Sequence, residues 1–246
     1  MSVKTLIAES IPLRWQVPVR YWVRHLRGRE DPVLRLLLAT ARRGSIAVDI
    51  GAHTGAYTYP LARRAVVHAF EPLPNCAAML EAFARTHSHV HVHHIALSDA
   101  PGEATMYTPY RDGRPLMQWT TFRPPVGRHD TMSVPVRTLD GYNLRDVSVI
   151  KIDVEGHEMA VLRGARETIA REHPTLLVEL EQRHHGHDIR SYLTEIEEVG
   201  YRGYFLNARR HLRPVRDFDP GTDQDVCRAD LADHSYIHDF LFVPHP

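Results

Sequence analysis

Ser45-Ile-Ala-Val-Asp49-Ile-Gly51-Ala-His-Thr-Gly55 is the stretch on which the fold turns. A short apolar run that ends in an acid and a glycine predicts a buried strand, and residues 54–64 predict a helix directly after it. Glycines at such a turn let a ligand approach the backbone, and the following helix presents free N–H groups. The next apolar run, residues 65–71, ends in Phe70-Glu71-Pro72. An acid at the end of a second strand can accept both hydroxyls of a ribose. The pair of motifs predicts a nucleoside-like cofactor lying across the carboxyl ends of the strands.

The type of cofactor follows from what is missing. A dinucleotide fingerprint needs three glycines in G-x-G-x-x-G, and here Gly51 and Gly55 are spaced G-x-x-x-G. No G-x-x-x-x-G-K-[ST] phosphate loop is present. An acid followed by this spacing suits a cofactor with an adenosine, an amino-acid tail and no phosphates, which is S-adenosylmethionine.

Outward from these turns the pattern alternates. Residues 75–86 predict a helix, 90–95 a strand, 147–152 a strand, 156–172 a helix, 174–180 a strand and 189–199 a helix. Residues 201–206 and 237–243 predict two closing strands. Strands and helices in alternation argue for βαβ units, a parallel sheet and helices on both faces. Residues 1–44 are expected to form an N-terminal arm and helix, with Asp31 as N-cap, Pro32 at the first helical position and Gly44 as the stop. Residues 45–246 are expected to form the catalytic domain. Residues 103–107 and 133–137 alternate like strands. Between them residues 108–132, with four prolines and two glycines, read as a long functional loop or lid, and its Tyr110, Trp119 and Phe122 stay open between packing on an acceptor when the lid closes and packing the loop onto the domain. Residues 208–234 are a polar connection without a recognisable pattern.

Composition narrows the classes. The 246 residues carry 30 Lys+Arg and 30 Asp+Glu, so no basic surplus points to a nucleic-acid partner. No run approaches the ~20 apolar residues of a membrane span. Two cysteines, Cys76 and Cys227, argue against a disulfide framework. With no signal-peptide pattern in the first ten residues, a cytoplasmic enzyme is expected. Lys4 and Lys151 are the only lysines beside 28 arginines.

A second constellation lies at Val149-Ile-Lys-Ile-Asp153-Val-Glu155-Gly156-His157-Glu158. It places Asp153 and Glu155 at a strand end beside the predicted crevice, and strand alternation would aim both carboxylates the same way. Two such acids suit acid–base work or a divalent cation such as magnesium. Asp153, assisted by Glu155, is expected to orient an acceptor hydroxyl or take its proton. Glu179, Glu181 and His184, past the next strand, are further candidates, whereas Glu158 is expected to complement a helix N-terminus. The run His87-Ser-His-Val-His-Val-His-His94 reads as packed or solvated histidines rather than a metal site. His184-His-Gly-His187 stays open between a metal or substrate contact and neither.

Taken in order, Val48-Asp-Ile-Gly-Ala-His-Thr-Gly-Ala-Tyr-Thr58, Phe70-Glu-Pro72, Ala96-Leu-Ser-Asp99, Arg137-Thr-Leu-Asp140, Ile150-Lys-Ile-Asp-Val-Glu-Gly-His-Glu158 and Phe240-Leu-Phe-Val-Pro244 resemble the FkbM family of S-adenosylmethionine-dependent methyltransferases. The resemblance implies an α/β fold, the class I methyltransferase (Rossmann-like) doubly wound sheet. That sheet is mostly parallel, in the order 3-2-1-4-5-7-6, with an antiparallel last strand. It also implies methylation of a hydroxyl on a sugar, glycan or polyketide-type natural product. Carried onto this chain, Asp49, Gly51, Ala52 and Gly55 would meet the methionine part of the cofactor, together with His53 and Thr54 of the same turn. Glu71, beside Pro72, would hold the ribose. Ala96, Leu97 and Ser98 would border the adenine, and Asp153 would lie near the sulfonium. His53 departs from the asparagine common in the family. Two other readings stay open: an NAD-dependent oxidoreductase on a related fold, and a catalytically inactive cofactor-binding protein.

Overall fold

A computed structural model describes residues 11–28, 31–225 and 236–245. In chain order come α1 (Leu13–Leu26), α2 (Pro32–Thr40), β1 (Ile46–Ile50), α3 (Thr58–Ala62), β2 (Val66–Phe70), α4 (Pro74–Ala84), β3 (Val90–His93), β4 (Ala96–Leu97), β5 (Gly102–Arg111), β6 (Arg114–Pro115), β7 (His129–Arg137) and β8 (Val147–Ile152). There follow α5 (Glu158–Arg163), α6 (Arg166–Glu172), β9 (Thr175–Glu179), α7 (Arg190–Glu198), β10 (Tyr201–Leu206), β11 (Leu212–Pro214), α8 (Pro220–Asp223) and β12 (Asp239–Pro244).

The main sheet runs β3-β2-β1-β8-β9-β12-β10-β11. Pairing is parallel from β3 to β9, and β12 is antiparallel to both β9 and β10. This is the expected order and sense, with β11 added as an antiparallel edge. Alternation along the strands feeds two cores. Val48, Ile50, Ile150, Ile152 and Val178 face Val161, Ile169, Leu193 and Ile196 of α5–α7. Ala47, Val67, Val149 and Leu177 face Val17, Leu37, Leu61, Leu80 and Phe83 of α1–α4. Helices therefore cover both faces, as buried parallel strands require.

Several local expectations change. The helix predicted from Thr54 is only α3, because His53 and Gly55 hold positive φ of 45° and 81° and keep residues 53–57 in turns. Asp31 does cap α2, accepting from the Val33 N–H at 2.8 Å. That helix ends at Thr40, with Ala41 already extended, so Gly44 serves the turn into β1 rather than the helix stop. The helix expected over 156–172 is two, α5 and α6, broken at Gly164-Ala165. Gly164 packs so closely on the Ser98 carbonyl that a Cβ would stand 1.9 Å from its oxygen.

The largest correction is the loop at 108–132. β5 and β7 form one long antiparallel ladder that runs to Pro109↔His129, well into the stretch read as irregular. Its prolines obscured the strand period. The tip between them holds β6 and a 3₁₀ turn at Met117–Trp119. With β4 these strands make a second, four-stranded sheet. Of the 208–234 connection, β11 and α8 are described, whereas residues 226–234, including Cys227, lie outside the described residues, as do 1–10, where no signal-peptide pattern was read. Cys76 is a buried free thiol.

Candidate active site

A cavity opens at the carboxyl ends of β1, β2, β8 and β9, under the tip of the β5–β7 hairpin. It encloses about 790 Å³ counting its open mouth. Gly51, His53, Glu71, Pro72, Ala96, Leu97, Asp153, Glu155 and Glu179 all line it. Asp49, Ala52, Thr54, Gly55 and Ser98 do not. Ser98 Oγ is instead 2.8 Å from His157 Nε2 and donates to Asp99 Oδ1.

The two glycines of the first turn have different physical reasons. Gly51 has φ +73°, and a Cβ there would stand 1.8 Å from the Asp153 carbonyl oxygen. Only glycine lets the exits of β1 and β8 touch. Gly55 has φ +81°, and its Cβ would meet Val17 of α1 at 2.7 Å. It seats a helix rather than a ligand.

Glu71 is 3% exposed, at the end of β2. Its carboxylate accepts from the His53 N–H at 2.6 Å and the Leu73 N–H at 2.8 Å. Burial pushes its pKa up to about 7, against the pull of those two N–H donors. Each oxygen keeps a lone pair for a further donor. His53, in a left-handed conformation, is held below the ordinary histidine range, chiefly by burial. Phe70, Ile95 and Leu97 give the wall beside Glu71 an apolar surface.

At the other end the acids crowd. Asp49 is fully buried, accepts from Thr58 Oγ1 at 2.6 Å and lies 3.6 Å from Lys151 Nζ. Lys151 Nζ also pairs with Asp153 Oδ2 at 3.1 Å and donates to the Gly51 carbonyl at 2.8 Å. Burial alone would depress the lysine, but Asp153 and then Asp49 outweigh it and raise its pKa. Lys151 thus ties both motifs together, a role sequence reasoning missed. The available signal was a lysine inside a buried strand of a chain that otherwise uses arginine.

β8 ends at Ile152 and Glu155 has φ +51°, so strand alternation does not carry to Glu155. Glu155 instead turns to His184, with Oε2 3.0 Å from Nε2. Burial raises the Glu155 pKa, with the His184 bond opposing. Burial would lower His184, but Glu155 and Glu181 lift it to about 9. Glu181, whose burial alone would raise it, is brought down to about 2 by His184, Tyr236 and Arg183. Glu158 is buried at the start of α5 and accepts from the Gly156 N–H at 2.8 Å, so it braces the Asp153–Gly156 turn.

Glu179 sits at the end of β9, in register with Asp239 of β12. Burial, and then the neighbouring Asp153, push its pKa up to about 7. His238 Nδ1 lies 3.4 Å from Glu179 and 3.5 Å from Asp239. Asp239 is raised by burial and by Asp31, which also accepts from the Tyr57 hydroxyl. The meeting of Asp31, Tyr57, His238 and Asp239 at this site escaped sequence reasoning because three separate segments deliver them. Among the described residues, Glu155–Glu181–His184 and Glu179–His238–Asp239 are the two groups with donor atoms close enough to share a cation. In both, the histidine already stands between the carboxylates.

The remaining candidates pack. Phe122 lines the cavity and tilts on His157. Trp119 lies beneath the Arg111 and Arg183 guanidiniums, and Tyr110 bonds Asp130 under Arg128. His91 and His93 pack on His68, with His93 also stacked on Phe70, while His87 stacks on Phe83 and His89 bonds the Ala62 carbonyl.

A sheet in this order, with a cavity over its carboxyl edge between a glycine turn and an acid, defines the class I methyltransferase fold. The model of the methyltransferase FkbM domain matches residues 49–202, more than half of the chain, and the protein belongs to that family. It is 31% identical over 149 residues to a hexuronic acid methyltransferase, AglP, of Haloferax volcanii, an alignment covering 58% of each protein. Among solved structures it resembles in fold a methyltransferase FkbM from Methylobacillus flagellatus KT. That likeness has a TM-score of 0.52 and 16% identity, over 95% of this chain and 55% of the other. The chain thus spans little more than half the length of either relative.

Proposed function

We propose that this protein is an S-adenosylmethionine-dependent methyltransferase whose acceptor is a hydroxyl of a sugar or glycan. The observation that carries this reading is the charge of the cavity. Its described lining contains four carboxylates, Glu71, Asp153, Glu155 and Glu179, and no lysine or arginine. Such a surface favours a cofactor bearing a cationic sulfur and an ammonium group and disfavours the pyrophosphate of NAD.

The residues present fit that group. Glu71 has lone pairs left for the ribose hydroxyls, and the apolar wall of Phe70, Ile95 and Leu97 suits a flat adenine. When bound, S-adenosylmethionine supplies an electrophilic methyl on its positive sulfur. The protein's part is to align an acceptor oxygen and take its proton. Glu179 is the best base, because it lines the cavity and its pKa of about 7 matches neutral pH. Asp153, fixed by Lys151, is assigned the orienting of the acceptor, and Glu155, clasped by His184, its support. No step here requires magnesium.

A second reading has one observation behind it. The relative from Haloferax volcanii is a hexuronic acid methyltransferase, and a hexuronic acid offers a carboxylate as well as hydroxyls. One experiment separates the two. Purified protein is incubated with methyl-labelled S-adenosylmethionine and a panel of neutral and uronic glycosides, and the product is treated with mild alkali. Label that survives alkali is an ether and supports the hydroxyl reading; label released as methanol is an ester. Binding of NAD in preference to S-adenosylmethionine in calorimetry would overturn both.

A further inference from the structure

Helix α1, Leu13-Arg-Trp-Gln-Val-Pro-Val-Arg-Tyr-Trp-Val-Arg-His-Leu26, has two unlike faces. Val17 is fully buried against Gly55 and Leu80, and Tyr21 packs on Tyr59. The opposite side is apolar too. Trp15, Val19, Val23 and Leu26 recur at helical spacing and form one stripe about 120–180° from Val17 at ~100° per residue. Trp22 lies at its edge, with its indole N–H donating to the Tyr59 hydroxyl at 3.2 Å. Along it Trp15 is 54% exposed, Trp22 42%, Val23 40% and Leu26 80%. Scattered exposed apolar residues need no explanation, but a continuous stripe with two tryptophans does.

Charge identifies what covers it. Residues 11–28 contain no acid, and Arg14, Arg20, Arg24 and Arg27 are all exposed. None of the four is in an ion pair among the described residues. Arg20, Arg24 and Arg27 flank the stripe on one side and Arg14 on the other. A second copy of the chain, related by a two-fold axis, would bring eight arginines together at the contact, so self-association through α1 is opposed. An apolar band with tryptophans and a cationic border is the composition of a helix that lies in the plane of a lipid headgroup layer.

We propose that α1 is an interfacial anchor: it lays the Trp15–Leu26 stripe into the surface of a bilayer that carries anionic lipids. The helix is ~21 Å long at 1.5 Å per residue, too short to span and long enough to lie flat. The proposal does not depend on methyl transfer, and its readout is binding alone.

The test is co-sedimentation of the full chain with vesicles of 30% phosphatidylglycerol in phosphatidylcholine, and with phosphatidylcholine alone. Binding is expected to the anionic vesicles, at least tenfold weaker to the neutral ones, and falling with salt. Trp15→Ser combined with Leu26→Ser should lower it roughly tenfold or more, and so should Arg14→Gln with Arg27→Gln. All four side chains are exposed, and an unchanged melting temperature would show that the variants fold. No binding to either vesicle would overturn the proposal, as would binding indifferent to both pairs of substitutions. So would self-association, seen by sedimentation, that the Trp15/Leu26 pair abolishes, because it would assign the stripe to a second copy.

Discussion

The two ends of the cavity hold their charge in opposite ways. At the Gly51–Glu71 end a single carboxylate sits among backbone N–H groups and apolar walls, each oxygen already fixed. At the Asp153–Glu179 end, acids from β8, β9, β12 and the start of α2 share Lys151, His184 and His238, and their ionisation is displaced in both directions. The first end is built to hold a fixed shape. The second couples its carboxyls to histidines and a lysine. Glu71 and Glu179 are both raised to about 7, but of the two only Glu179 has a histidine ring, that of His238, at 3.4 Å with which a proton can be shared.

That contrast is broken most severely through Lys151. In Lys151→Met the buried Asp49 and the partly buried Asp153 lose their shared cation, and a loss of about 3–5 kcal/mol in urea unfolding is expected. A loss under 1 kcal/mol would mean that the pairing carries little. Glu179→Gln should leave S-adenosylmethionine affinity intact while kcat falls between about 10²- and 10⁴-fold. In the unaltered protein, kcat/KM for a hydroxyl acceptor should climb with pH and level off above about 7, the pKa of Glu179. That dependence should vanish in the variant, and its persistence would move the base elsewhere. Glu71→Gln keeps one acceptor oxygen and trades the other for a donor facing a donor. A roughly tenfold weaker cofactor Kd is expected in calorimetry, with kcat at saturation little changed.

The mildest change is His53→Asn, within about 0.5 kcal/mol at neutral pH, since asparagine tolerates the left-handed conformation. His53 has a folded pKa below its ordinary 6.5, so the unfolded chain binds the extra proton first. The histidine protein should therefore lose stability relative to the asparagine variant as pH falls through 6.5. Melting temperatures at pH 7.5 and 5.5 give the sign, and the reverse sign would mean that His53 is charged in the fold.

The same contrast explains what could be read from the chain. Residues 147–152 and 201–206 were predicted with the bounds the strands have, the first a mostly apolar, fully buried run and the second an alternating one, each bounded by polar or glycine residues. The sheet order came from the FkbM resemblance rather than from period or spacing, which give elements but not their neighbours. The Gly51–Glu71 end was legible because its parts are contiguous motifs at the tips of adjacent strands. At the other end Asp153, Glu155 and Glu179 were visible, but Lys151, His238, Asp239, Asp31 and Tyr57 were not. Their meeting depends on the antiparallel return of β12 and on the cap of α2. The hairpin of β5 and β7 was hidden by prolines that a two-stranded ladder accommodates near its ends.

The contact between Gly55 and Val17 has a practical consequence. It makes the first helix a floor beneath the Gly51–Gly55 turn rather than an appendage in front of the main sheet. Shortening the chain to begin at Asp31 would strip the cover from Gly55, Leu80 and Tyr59 together. The product would be a protein with a wound beside its cavity, so a shortened chain has to keep the whole helix together with Ile11, whose carbonyl accepts from Gln16 Nε2 at 3.1 Å.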